Sequence, residues 1–84
     1  MDTLTGKDAF RLIDTHGLPL EIVMSKSVFD VAEFVEAALK VWKPSKLDRV
    51  VREASSLLPG DPANRERFLT MFRACVMQAL RRAA

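Results

Sequence analysis

Cysteine and histidine each occur once in this sequence, as Cys75 and His16. A lone thiol excludes an internal disulfide and fits a reducing compartment, and no cluster of cysteine and histidine exists to bind zinc. No cofactor and no metal are expected. The three glycines, Gly6, Gly17 and Gly60, form no glycine-rich phosphate loop. No apolar run approaches the ~18 residues that would cross a bilayer, and no charged-then-apolar leader opens the chain, so a cytoplasmic protein with no membrane contact is expected. Internal repeats and low-complexity stretches are absent. No segment alternates polar with apolar long enough to make a half-buried strand.

What remains is a globular mixture, 49% hydrophobic and 29% charged over 84 residues. That suits one small domain over 1–84, with a core of limited size. The net charge of +2 hides an asymmetry. Residues 1–42 carry four basic and seven acidic side chains, whereas 43–84 carry nine basic and four acidic. Such a split points to nucleic acid or an acidic protein partner; the alternative is a set of solvated helix faces.

Helical periodicity and capping signals predict an all-α bundle of five short helices, over about 5–15, 19–25, 28–42, 46–57 and 62–82. Thr5-Gly6-Lys7-Asp8, Ser27-Val28-Phe29-Asp30 and Ser45-Lys46-Leu47-Asp48 all have the form of an N-terminal capping box. Gly17 suits the left-handed position after a helix, Pro19 restarts the chain, and Pro44 ends the third helix. Asp61, within the turn Leu58-Pro59-Gly60-Asp61-Pro62, caps the last one. Val28, Val31, Ala32, Val35, Ala38, Leu39 and Trp42 form one stripe of the third helix, with Phe29, Phe34, Ala37 and Val41 on another side. A helix apolar on two sides is either central or has a face left over. Leu47, Val50, Val51, Ala54 and Leu58 face inward from the fourth, and Phe68, Phe72, Cys75, Val76 and Ala79 from the fifth.

Asp14-Thr15-His16-Gly17 is the only stretch with the look of catalytic machinery, His16 as base and Asp14 as its orienter. Residues two apart on a helix do not face each other, and these are ordinary helix-end residues, so a structural role is expected. The same stretch carries a family resemblance. Thr5-Gly6-x-x-Ala9-Phe10-x-Leu12-x-Asp14-Thr15-His16-Gly17-Leu18-Pro19-Leu20-Glu21 resembles the pattern SG-x-x-AF-x-L-x-DTYG-x-P-L-D-L-T of alanyl-tRNA synthetases. In those enzymes it lies where the catalytic domain passes into the helical tRNA-recognition region. Gly6, Ala9, Phe10, Leu12, Asp14, Thr15, Gly17, Pro19 and Leu20 match. His16 replaces the usual Tyr, Glu21 the Asp, and Val23 stands at the Thr position. The resemblance implies a shared helix–turn–Pro–helix element, not the activity, because the adenylate-forming sheet does not fit in 84 residues. Small accessory proteins of bacteriophages carry similar strings, which suggests an accessory protein of a phage or mobile element.

Two binding modes follow from the rest of the chain. Residues 31–55 loosely resemble a helix-turn-helix that would present Lys43, Lys46, Arg49 and Arg52 to DNA or tRNA. Trp42 replaces the expected turn glycine and Asp48 interrupts the basic row, which favours an ordinary helix pair. The other mode is docking on a protein. The apolar content exceeds what a five-helix core needs, and the surplus sits at Phe29, Phe34 and Val41 of the third helix and Met71 and Met77 of the last. The expected function is that of a small, non-catalytic helical binding protein that modulates a larger protein partner, or a homodimer, with no small-molecule substrate. Nucleic-acid binding through the basic half is the alternative.

Overall fold

A computed structural model describes residues 2–57 and 61–83. Along them run β1 (Asp2–Leu4), α1 (Gly6–Asp14), α2 (Leu20–Lys26), β2 (Ser27–Phe29), α3 (Val31–Leu39), α4 (Pro44–Leu57) and α5 (Pro62–Ala83). The all-α expectation holds in class: helices carry the core. The predicted turn residues Leu58, Pro59 and Gly60, including the inward assignment of Leu58, lie outside the described residues.

The expectation of no strand is corrected by a two-stranded parallel sheet, in which Asp2 pairs with Ser27, Thr3 with Val28 and Leu4 with Phe29. Strands of three residues are too short to display period-two alternation, and parallel strands need a long crossover, here supplied by α1 and α2. The same pairing corrects the start of the third helix. Ser27 is extended rather than a cap, with φ −142° and ψ 154°. Asp30 takes the capping role instead, its Oδ1 accepting from the Glu33 amide at 3.2 Å. Val28 consequently leaves the inward stripe and is 56% exposed. The far end is corrected too: α3 stops at Leu39, and Pro44 opens α4 where its missing N–H costs nothing.

Of the other capping signals, Ser45 is overtaken, because α4 already opens at Pro44 and places Ser45 inside its first turn. Thr5 and Asp61 cap as their chemistry demands. Thr5 Oγ1 accepts from the Asp8 amide at 3.0 Å, and Asp61 Oδ1 from the Asn64 amide at 3.0 Å. Gly17 adopts φ +69°, the left-handed conformation that lets the chain leave α1 and enter α2 behind Pro19.

α3 is central, packed against α1, α4 and α5. Its two apolar sides thus have two sets of neighbours, and Phe34, Val35 and Ala38 are fully buried. All five phenylalanines and Trp42 join in one aromatic cluster. Phe34 is its hub, meeting Phe10 edge-on at 6.1 Å, Phe72 at 5.9 Å and Phe29 at 5.4 Å. Phe10 continues to Trp42 at 4.9 Å, and Phe72 to Phe68 at 4.8 Å. The three edge-to-face pairs, Phe10–Phe34, Phe10–Trp42 and Phe34–Phe72, add about 0.5–1.5 kcal/mol each beyond area burial, and the other two pairs are tilted. Assigning Phe34 to an exposed docking surface is therefore wrong: with 0% exposure it is a core residue. Phe29 is half-buried against the same cluster.

Candidate functional site

The surface apolar side chains fall in separate places. Val41 lies just past the end of α3 and is 63% exposed, and Met71 sits on α5 at 43%. Leu18 and Leu57 line one pocket at the α2–α4 side, and Met77 and Leu80 lie where the first half of α4 meets the second half of α5. Leu47 and Val51 of α4 and Phe72, Val76 and Met77 of α5 line a cleft of about 250 Å³ rimmed by Asp48 and Arg73. A second cleft of about 400 Å³ is lined by Leu39, Pro44, Ala79 and Leu80 and rimmed by Glu36, Lys40 and Arg82. The two clefts share no lining residue but follow one another along α5, the first walled by α4 and the second by the end of α3 and Pro44, and together they make a groove along that helix. Its floor is core, with Leu47 and Phe72 buried, and its lip is open, with Met77 at 56% exposure and Leu80 at 43%.

Charges around the groove are unequal in freedom. Glu36 Oε1 holds the Arg82 guanidinium at 2.6 Å, and Asp48 Oδ2 holds Arg52 Nε at 3.0 Å. Both carboxylates are thus engaged, whereas Lys40 and Arg73 belong to no ion pair among the described residues.

The basic row of α4 is exposed, but only in part unengaged. Arg52 is the partner of Asp48, and Lys46 Nζ sits 4.9 Å above the Trp42 ring, a cation–π contact. Lys43 and Arg49 have neither kind of contact among the described residues.

Asp14 and His16 form no joint site. The Trp42 indole Nε1–H donates to Asp14 Oδ1 at 3.2 Å, tying the end of α1 to the turn after α3. His16 is exposed beyond the helix end. Cys75 is half-buried on α5; burial first, and the negative charge of Asp30 second, push its thiol above the ordinary value. Among the described residues no group of three or more His, Cys, Asp or Glu gathers as a metal set, and no helix is long and apolar enough to cross a membrane.

The stretch 5–23 takes the form implied by its resemblance, a helix, a left-handed glycine turn, Pro19 at the cap and a second helix. Its residues are mostly packing residues: Ala9, Phe10 and Leu20 are buried. Gly6 lies so close to α3 that a Cβ there would meet backbone atoms of Asp30, Glu33 and Phe34. Comparison with known proteins extends this likeness. The chain resembles a piece of alanine–tRNA ligase. It is 38% identical over 55 residues to the enzyme of Lactiplantibacillus plantarum, a stretch covering 66% of this chain and 6% of that protein. No protein-family model matches the chain, and no solved structure matches it.

The groove was only partly legible beforehand. Met77 is one of the five expected docking residues, but Leu39, Pro44, Leu80, Lys40 and Arg73 were not singled out. A signal for α5 did exist: Arg73, Met77 and Leu80 stand at i, i+4 and i+7, one line on a helix surface.

Proposed function

We propose that this chain is a small non-catalytic helical module that docks on a larger protein and modulates it, through the groove between α4 and α5. The carrying observation is the open apolar lip: Met77 and Leu80 stand exposed over a floor of Leu47, Val51 and Phe72. Exposed methionine beside aliphatic side chains makes an adaptable contact surface, and its burial by a partner removes apolar area from water.

A second reading is favoured by the likeness to a tRNA ligase and by the exposed cations Lys43 and Arg49. In that reading the basic row meets phosphate. It ranks lower because Lys46 and Arg52 already have partners within the chain.

The test compares a Met77→Asp/Leu80→Asp variant with a Lys43→Glu/Arg49→Glu variant in affinity capture from the native host, with and without nuclease. Circular dichroism first verifies that both retain their helices. Nuclease-resistant capture that is lost in the apolar variant and kept in the charge variant is the expected pattern. Nuclease-sensitive capture that fails in the charge variant alone would replace docking by nucleic-acid binding.

A further inference from the structure

We infer that the occupant of the α4–α5 groove is a single amphipathic helix bearing acidic residues at both ends of its apolar stripe. The inference rests on the docking reading and adds the chemistry of the partner.

Length is the first argument. The groove runs from Arg73 to Leu80 on α5 and from Pro44 to Val51 on α4, a span of eight residues and seven helical steps on each. At 1.5 Å per residue that is about 10 Å, or two helical turns. A ligand helix fills such a trough with apolar anchors at i, i+3 or i+4, and i+7. Both walls are helices whose backbone groups bond internally, so no sheet edge is on offer to an extended peptide.

Charge is the second argument. Lys40 rims the cleft at the Pro44 end, and Arg73 rims the one at the Val51 end. The two carboxylates on the same rims, Glu36 and Asp48, are held by Arg82 and Arg52. The groove therefore presents a cation at each end of an apolar floor, Lys40 from the acidic half of the chain and Arg73 from the basic half. An acidic helix lowers the electrostatic cost of approach, whereas a second copy docking groove to groove would bring the same two cations.

The experiment uses the whole chain and two synthetic peptides of about four turns, long enough to span the groove with a margin. Both carry leucine at i, i+4, i+7 and i+11. One has glutamate on the flanks and the other lysine, and each is fluorescein-labelled for anisotropy. The glutamate peptide should bind about tenfold or more tightly than the lysine peptide, a preference that shrinks with added salt. Lys40→Glu/Arg73→Glu should reverse that preference, and Met77→Asp/Leu80→Asp should abolish binding of both. Equal binding of the two peptides overturns the acidic assignment and leaves docking standing. Binding of neither peptide overturns the helix occupant. Sedimentation as a dimer that Met77→Asp/Leu80→Asp dissolves would assign the groove to a second copy. Bulk tRNA displacing the glutamate peptide from the same groove would assign it to nucleic acid. Either result also overturns the inference.

Discussion

Adding one methyl group at Gly6 should unfold more of this protein than almost any other change of its size. A Cβ built there would lie 2.7 Å from the Asp30 carbonyl oxygen and 2.7 Å from the Glu33 carbonyl carbon, with the Phe34 amide nitrogen closer still. All three are backbone atoms, so no side chain can swing aside. Relief requires α1 to retreat from α3 by about 1 Å, enough to forfeit a quarter to a half of each dispersion contact across that interface. The interface holds Ala9 and Phe10 against Phe34, Val35 and Ala38, the centre of the core. Overpacking of this kind costs about 3 kcal/mol, and the better helix propensity of alanine returns at most about 1 kcal/mol. A net loss of about 2 kcal/mol should lower Tm by roughly 8–16 °C for a domain of this size. Thermal and urea unfolding of Gly6→Ala, followed by far-UV circular dichroism, measure it. Gly17→Ala is the control: its Cβ meets open space, so only the strain of φ +69° applies, about 1–2 kcal/mol. A Gly6→Ala protein as stable as the parent would refute the close approach of α1 to α3.

Three further outcomes are expected. Phe34→Ala should cost about 3–5 kcal/mol in urea unfolding, whereas Val41→Asp should stay within about 0.5 kcal/mol of the parent, because one is fully buried and the other 63% exposed. Trp42→Phe removes the indole donor to Asp14 and should lose about 1 kcal/mol, with little further loss when Asp14→Ala is added; a double-mutant cycle reads the coupling. Alkylation of Cys75 by iodoacetamide should rise with pH later than that of a free thiol. The raised value means that the unfolded chain gives up this proton first, so stability should fall as pH climbs past the ordinary thiol range, as a pH series of urea midpoints would show.

The separation of Phe34 from Met77 shows why a surplus of apolar residues is a weak guide to a binding face. On α3 both apolar sides count as surplus when the helix is considered alone. Flanking it with α1 on one side and α5 on another turns the surplus into core. The corresponding surplus on α5, Met71 and Met77, stays outside, and Met77 lines the open cleft against α4. Periodicity reports which residues share a side of a helix, never how many sides have neighbours.

Local chemistry was readable from the residues alone: Thr5 and Asp61 as caps, Gly17 as a left-handed turn, Pro19 as a restart, and the inward stripes of α4 and α5. Each depends on atoms within about four residues, which is the range over which capping, turn geometry and helical period act. Four features came only with the tertiary structure. They are the pairing of Asp2–Leu4 with Ser27–Phe29, the transfer of the α3 cap from Ser27 to Asp30, the tight seat of Gly6 on α3, and the groove that joins Pro44 and Leu47 to Met77 and Leu80. Each joins segments more than twenty residues apart or is a consequence of such a joining. Ser27 and Asp30 are both competent caps, and the strand pairing decides between them by holding Val28 and Phe29 extended, so that no helix can begin behind Ser27.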